Sequence, residues 1–311
     1  MVVAILVLNE DTTCASTINF PLRAMALTSV LSEVPVTVVI PTLNEVDRLP
    51  ACLASVRWAD QVIVADAGST DGTQELARSM GAIVIERCGP TIAEQRNIAI
   101  AASAHQWILA LDADERVSPE LARSIAQEIV APRGSAFRVH MRNQYLGATM
   151  ERGGWGRDRH VRLFRSSLRY EVKRVHEGLH FEGAAFDLAG RVDHDSYRDL
   201  GHQLAKVNCY AKWGAEDLFA RGKQVGLVQI IMRPAWRFIK CYFLQGAILE
   251  GQRGLVLAVV HAWSAFAKYA LLWDMQRMAN AMVVKSAPSM SPVVALEDAR
   301  AKRGDSLART A

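Results

Sequence analysis

An α/β fold with a mostly parallel central sheet, helices on both faces of it and a helical region appended at the C-terminal end is predicted by three observations. Short β-branched apolar runs alternate with segments of helical period, which is the pattern of strands linked by crossover helices. Each run ends in a polar loop rich in Asn, Asp, Ser, Thr or Gly, where such sheets place their ligands. The chain of 311 residues, 50% hydrophobic and 22% charged, has enough apolar material for one main domain with a sizeable appendage.

The elements follow in order. Residues 1–34 read as a poorly ordered leader: an apolar start without a basic flank, followed at once by Glu10 and Asp11, does not make a signal peptide. VTVVI (36 to 40), QVIVA (61 to 65), AIVI (82 to 85) and WILAL (107 to 111) are the expected parallel strands. NEVDRLPACLASV, STDGTQELARSM and TIAEQRNIAIAASA supply the helices between them, with Thr70 or Asp71 and Thr91 as N-caps. After about residue 131 the rhythm changes. AFRVHMRNQYLG, HVRLFR and the stretch around VHEGLHF predict strands of mixed direction, with a loop at Gly153 to Gly156. The catalytic unit is expected to span 35–197.

Residues 198–284 predict a helical, membrane-peripheral region, and 285–311 a flexible tail. GLVLAVVHAWSAFAKYALLWDMQRM is apolar for about a bilayer's width, yet His261, Ser264 and Lys268 interrupt it. A helix lying at the membrane surface, flanked by Arg233, Arg237, Lys240, Arg253 and Arg277, fits that pattern better than a spanning one. A helix packed on the catalytic core is the plain alternative.

Charge and cysteine usage narrow the class. The net charge of +4 is only mildly basic, and no nucleic-acid partner is expected. Eleven Arg or Lys against three acids fall between Arg133 and Arg174, an electropositive surface if they share a face. The five cysteines show neither CxxC pairing nor spacing with histidines, so neither a disulfide frame nor a zinc site is expected, and the compartment reads as cytoplasmic. Neither GxGxxG nor GxxxxGK[ST] occurs. A bound diphosphate would therefore have to be neutralised in another way. LALDADER (109 to 116) offers one, because it drives an apolar run into Asp112, Asp114 and Glu115. Like charges so placed call for a metal ion, basic neighbours or water. Asp112 and Asp114, at i and i+2 of an extended run, can approach one divalent cation that also binds phosphate.

IPTLNE (40 to 45), ADAGSTDGT (65 to 73), EQRN (94 to 97) and LDADE (111 to 115), in this order and after successive strands, resemble the family 2 glycosyltransferases. GGW (153 to 155), RLFR (162 to 165), VHE (175 to 177), HDSY (194 to 197) and Gly222-Lys223 resemble the branch of that family that adds hexose to the lipopolysaccharide core. The resemblance covers about residues 35 to 275. It implies the nucleotide-diphospho-sugar transferase fold and inverting transfer of a hexose from a UDP-sugar, with UDP-glucose the expected donor. It also implies Mg2+ or Mn2+ as cofactor, a lipopolysaccharide core acceptor and attachment to the inner face of the cytoplasmic membrane.

Residue by residue, the resemblance places Pro41, Thr42, Asn44 and Glu45 around the nucleoside, with Glu45 accepting from the ribose, and Asp66 at the base. Asp71 is either an N-cap or a ligand. Arg96 faces either the nucleotide or the Asp112 cluster, or is a plain surface arginine. Asp114 is the expected metal ligand, with Asp112 at the metal, ribose or donor sugar. Glu177 is the expected general base, and His176 orients it, touches the diphosphate or ligates the metal. Trp155 is a stacking platform for a sugar ring or a core residue. Arg162 and Arg165 meet the donor diphosphate or an acceptor phosphate, to which guanidinium forks are suited.

Three other readings compete. A haloacid-dehalogenase phosphatase also begins from a DxD motif, but on its first strand, whereas here the motif follows the fourth. A polyprenyl-phosphate sugar synthase would share the catalytic domain and add spanning helices. An inactive nucleotide-sugar-binding module at the membrane would have no need of Asp112, Asp114 and Glu177.

Overall fold

In the computed structural model, which describes residues 34–89, 91–171 and 178–286, four parallel strands form one half of the sheet. They are β1 (Thr37–Thr42), β2 (Gln61–Asp66), β3 (Ile83–Ile85) and β4 (Trp107–Ala110), in the order β3-β2-β1-β4. Every residue of β1 and β4 is buried, which is why these sequences are continuous apolar runs without alternation. Successive positions feed opposite cores: Val38 and Ile40 pack with Leu49, Leu53 and Ala77, whereas Val39 packs with Ile63, Ala93 and Ile100. Helices α1 (Leu49–Ser55) and α2 (Thr73–Ser79) therefore cover one face and α3 (Ile92–Ala101) the other.

The change of face has a topological cause. The chain steps outward from β1 to β2 and β3, then returns to the far side of β1 to form β4. Strand order reverses between β1 and β4, and a crevice opens beyond their carboxyl ends. The segments there are Leu43 to Arg48 and Leu111 to Glu115.

The second half of the sheet is mixed, as expected. β5 (Glu115–Val117), β6 (Ala136–Tyr145), β7 (Ala148–Thr149), β8 (Arg159–Arg165) and β9 (Phe186–Asp195) extend it in the order β4-β8-β6-β9-β5, with β7 on β6. β6 alternates strictly, with Phe137, Val139, Met141, Asn143 and Tyr145 buried. The strand expected around VHEGLHF is displaced. Residues 175 to 177, with the sites His176 and Glu177, lie outside the described residues; Leu179 makes only an isolated bridge to Tyr170, and β9 takes the place beside β6. The leader to residue 33 and the tail from 287 also lie outside them.

Helix starts follow their cap chemistry. Thr91 and Glu94 form the full capping box of α3. α2 begins instead at Gly72 in left-handed geometry, and Asp71 acts one residue earlier, accepting from the amides of Thr73 at 3.0 Å and Val46 at 3.2 Å. A further helix, α4 (Pro119–Val130), follows β5; Ser118 caps it, Pro119 opens it, and Leu121, Ala122 and Ile125 face the core.

Among the described residues three long helices follow the sheet: α5 (Leu200–Ala220), α6 (Leu227–Ile239) and α7 (Gly251–Ser286). Tyr145, Met150, Cys241, Ala247 and Leu257 form a small core joining them to the sheet. The Gly153 amide donates to the Gln245 carbonyl at 2.9 Å, and a Cβ at Gly153 would stand 3.0 Å from Leu257, so the GGW turn docks closely on the helical region. On α6, Leu227, Val228, Ile231, Met232 and Trp236 are all more than half exposed. The segment Ala247–Met282 contains an 18-residue window of mean hydropathy 1.6 and is long and apolar enough by length and composition to cross a membrane.

Gly190 sets a tight approach of β9 to the start of α4. Its φ is +88°, and a Cβ there would meet the Leu121 amide nitrogen at 2.3 Å. Gly183 has the same φ with nothing within 4 Å. Gly183→Ala should cost about 1–2 kcal/mol of left-handed strain. Gly190→Ala should cost that plus about 1–3 kcal/mol of overpacking. Urea unfolding checks this, with the lower midpoint expected for Gly190→Ala at unchanged slope.

Candidate functional site

The acids that close β4 meet arginines from three separate segments. Asp112 accepts from Arg96 of α3 at 2.5 Å and from Arg162 of β8 at 3.1 Å. Arg162 also pairs with Glu115, whose other oxygen accepts from the Asp112 amide at 2.9 Å. Asp114 accepts from Arg48 at 2.9 Å. Arg48 reaches further, donating to the Asp195 carbonyl at 3.2 Å and lying 3.7 Å from Glu45. Of the two readings of Arg96 as a site residue, the structure takes the Asp112 cluster.

Burial and charge act against each other here. Burial works to raise the Asp112 carboxyl, but Arg96 and Arg162 outweigh it and hold the group well below the usual carboxylate range. Glu115, with no exposure at all, is pushed up by burial to about 7, Arg162 pulling it back and Asp112 adding to the rise. His194 enters through the register of β5 and β9, which sets it opposite Glu115. Its Nε2 lies 3.7 Å from Asp114, and its affinity for a proton is raised despite burial because Asp114 and Glu115 favour the charged ring.

Asp112 is the accessible member of the cluster: its side chain is 33% exposed, against 11% for Asp114 and 0% for Glu115. It faces a cleft of about 1460 Å³ that Arg96, Arg162 and His194 also line, with α5 and α7 forming the opposite wall.

The loops after β1 and β2 interlock beside it. Pro41 lies within β1, paired with Ala65. Asn44, at φ 57°, donates its amide to Ser69 at 2.8 Å and accepts from the Thr70 amide at 2.9 Å. Glu45 lies between Arg48 and Arg198, and burial raises its carboxyl. Asp66 is fully buried and accepts from Thr42, Ser69, Gln74 and the Gly68 and Ser69 amides; these bonds hold its carboxyl low against the effect of burial. Trp155 packs edge-on to Tyr145 at 5.3 Å and beside Tyr197, half-buried near the cleft. Arg165 is not brought here. It pairs across from Trp107 at the amino end of β4 and stacks on that ring at 4.0 Å, the far end of the strand from Asp112.

The expected electropositive surface is also corrected. Arg133, Arg138, Arg142, Arg159 and Arg162 pair with Glu128, Asp187, Asp193, Asp112 and Glu115, acids outside the basic stretch in sequence. Strand pairing brings Asp187 and Asp193 alongside, Glu128 comes from the end of α4, and much of the excess is cancelled locally.

Among the described residues no three His, Cys, Asp or Glu side chains converge as a closed metal-holding group. The cleft offers the Asp112 carboxylate and the His194 imidazole, and Asp114, which does not line the cleft itself, lies 3.7 Å from His194 Nε2. A hard divalent cation that arrives with a diphosphate needs only one or two protein carboxylates, so the donor set fits Mg2+ or Mn2+. Sequence reasoning did not single out Arg48 or His194. Arg48 looks like a local partner of Glu45, and nothing in the sequence links it to an acid 66 residues away. For His194 a signal existed, since it opens the HDSY segment (194 to 197).

Arg162 is 8% exposed and Glu115 fully buried, so removing one partner strands a buried charge. Arg162→Met should cost about 3–5 kcal/mol. Adding Glu115→Gln should return about 0.5–3 kcal/mol of it, the usual range of such coupling. A double-mutant cycle by chemical unfolding measures both, and strict additivity would show that the pair is not coupled.

Residues 37–181, from β1 through the Asp112 cluster to beyond β8, match the sequence model of Glycosyl transferase family 2. An uncharacterized glycosyltransferase of Rickettsia prowazekii (strain Madrid E) is 27% identical over 248 residues, covering 75% of this chain and 85% of the relative. The lipopolysaccharide core biosynthesis glycosyltransferase LpsC of Rhizobium meliloti (strain 1021) is 27% identical over 258 residues, 78% of this chain and 94% of LpsC. Among solved structures, glucosyl-3-phosphoglycerate synthase from Mycobacterium tuberculosis, in complex with Mn2+, UDP and glucosyl-3-phosphoglycerate, is similar over 38% of this chain and 47% of that one, at 23% identity and a TM-score of 0.32. Residues 37–181 carry a Glycosyl transferase family 2 domain, and the chain is a glycosyltransferase enzyme.

Proposed function

We propose that the chain is an inverting hexosyltransferase, dependent on a divalent cation, that moves a hexose from a UDP-sugar, UDP-glucose foremost, to a lipopolysaccharide core acceptor at the inner face of the cytoplasmic membrane. The observation that carries this reading is Asp112, which faces a cleft at the point where strand order reverses, with Asp114 in the same acid cluster and helices of the C-terminal region lining the same cleft. The name of the relative LpsC supports the acceptor class.

The roles follow from position. The loop Pro41 to Glu45 receives the nucleoside, with Glu45 as acceptor for ribose hydroxyls, and Asp66 stands behind it holding the Gly68-Ser69 turn. Asp112 presents its exposed edge to the ribose or donor sugar, with Arg96 and Arg162 fixing its orientation. Trp155, beside Tyr197, offers an aromatic face to a sugar ring. A cation held by Asp114, with Asp112 and His194 beside it, would supply the positive charge that a leaving diphosphate requires. Transfer forms a bond from an acceptor hydroxyl oxygen to the sugar C1 and breaks the C1–O bond to UDP, with inversion. The hydroxyl proton goes to one general base, for which Glu177 is proposed from the resemblance.

Asp114→Asn should weaken metal-dependent binding of the nucleotide sugar, with partial recovery at higher metal concentration. Glu177→Gln should leave donor binding intact while turnover falls by roughly 10²-fold or more. Calorimetry with UDP-glucose and a transfer assay separate the two, and near-normal turnover of Glu177→Gln would move the base to another acid. For the acceptor, mass spectrometry of surface glycolipid from a strain lacking the chain should show loss of one hexose.

The exposed apolar face of α6 supports peripheral attachment. The protein should sediment with vesicles containing anionic lipid, and less so at high salt. Ile231→Glu with Trp236→Glu should abolish sedimentation while leaving UDP-glucose binding unchanged. Retention of all the protein in membranes after carbonate extraction would instead favour a spanning α7.

A further inference from the structure

The helical wall of the cleft carries a charged group that the transfer reaction does not use. α6 contributes Arg233 and Arg237, and α7 contributes His261, Lys268 and Tyr269; all but Arg233 line the cleft directly. The Arg233 guanidinium lies 5.3 Å from the centroid of the Tyr269 ring and the Lys268 ammonium 5.1 Å from the same centroid, so two cations share one aromatic ring. Arg48, Arg96 and Arg162, across the cleft, are each matched to carboxylates. In contrast, among the described residues none of Arg233, Arg237, His261 and Lys268 has a carboxylate within ion-pair distance. Asp217 of α5 also lines the cleft but pairs with none of the four.

The consequences of that imbalance are visible in the group itself. Burial, and then Arg237, push His261 down to about 4, leaving the ring neutral. Burial, and then Arg237 and Arg233, lower the proton affinity of Lys268. Cations collected without a counter-ion repel one another, and an anion placed among them relieves that repulsion. The backbone is also shaped for this lysine. A Cβ at Gly214, in the interior of the 21-residue α5, would stand 2.9 Å from Lys268 Cδ. Glycine there costs roughly 1 kcal/mol relative to alanine in an ordinary helix, and its place is taken up by the lysine stem.

We infer that Arg237 and Lys268 on the helical wall of the cleft, with Arg233 sharing the Tyr269 ring behind them, form an anion site that receives a phosphate or carboxylate of the sugar acceptor. The inference rests on the proposed transfer to an anionic glycolipid and assigns the acceptor's charge a place in the protein. The group lies on the inner side of α6, whose outer side bears Leu227, Ile231 and Trp236. An acceptor anchored in a lipid surface would thus bring its charged sugars past this wall to reach Asp112.

The test uses the full chain and glucose 6-phosphate as probe, with glucose as the uncharged control and UDP with Mn2+ as a readout of the donor site. The wild-type protein should bind glucose 6-phosphate at least tenfold more tightly than glucose. Lys268→Met and Arg237→Gln should each weaken the phosphate probe about tenfold and leave UDP binding and the far-ultraviolet circular dichroism unchanged. Gly214→Ala, which displaces the Lys268 stem without altering charge, should weaken it in the same direction. Unchanged glucose 6-phosphate binding in Lys268→Met and Arg237→Gln would overturn the proposal. So would failure of the wild type to bind the sugar phosphate when vesicles with 20% phosphatidylglycerol are bound through the same residues, because the site would then belong to lipid headgroups. Failure of the wild type to bind UDP would sink the donor-site reading alone, and the sugar-phosphate result would still decide this one.

Discussion

The structure around the site depends on one electrostatic constraint. Three acids within four positions at the end of β4, Asp114 and Glu115 almost wholly out of water and Asp112 only partly so, must be neutralised. Arg48, Arg96 and Arg162 do this from three segments far apart in sequence, the turn after β1, helix α3 and strand β8. A buried ion pair adds little net stability over an apolar replacement, but breaking one partner is costly. The network therefore acts mainly as a specification. β8 can pair with β4 only where Arg162 reaches both Asp112 and Glu115, and α3 can dock only where Arg96 meets Asp112. The mixed half of the sheet is thereby fixed to the parallel half at the place where the crevice opens.

The two walls of the cleft follow from the same physics with opposite outcomes. On the sheet side, positive and negative groups are matched, so the wall is rigid and its one accessible carboxylate edge is Asp112. On the helical side, Arg233, Arg237 and Lys268 are left unmatched and depend on something anionic arriving. A nucleotide diphosphate and an anionic acceptor carry like charge and would repel each other in one site. A divalent cation at the acids of the sheet side and the unmatched cations of the helical side would allow both to be held at once.

The parallel half of the fold was legible because strand and helix alternate there with clean periods, and the polar residues at strand ends marked the crevice before any coordinates. The mixed half was less so. β9 (FDLAGRVDHD) is interrupted by charges that pair with Arg138, Arg142 and Arg159 across the sheet, so its apolar alternation is weak in sequence although the strand is ten residues long. The same pairings dissolved the expected basic surface, because a count along the chain cannot see acids brought alongside by strand register. α4 is absent from the sequence expectations although its Ser118-Pro119 start is a regular helix opening. Arg48 could not be read as a site residue at all: its contact with Asp114 is purely tertiary. Glu177 and His176 rest on resemblance alone, outside the described residues.

One residue shows how a local misfit points to a site. The buried face of β6 reads Phe137, Val139, Met141, then Asn143, then Tyr145, a polar side chain in an apolar stripe and 2% exposed. Burying an amide without partners is costly, and Asn143 is fully engaged. Its oxygen accepts from His194 Nδ1 at 2.8 Å, and its nitrogen donates to Asp158 at 3.3 Å. An amide oxygen can only accept, so the proton on that face of the ring is fixed at Nδ1. Nε2 is then the nitrogen turned toward Asp114. Apolar residues at this position would satisfy the strand equally well but leave the imidazole free to rotate. The polar substitution in the stripe is accounted for by the orientation of His194, and that orientation in turn sets which ring nitrogen the acid pair and any ion beside it can meet.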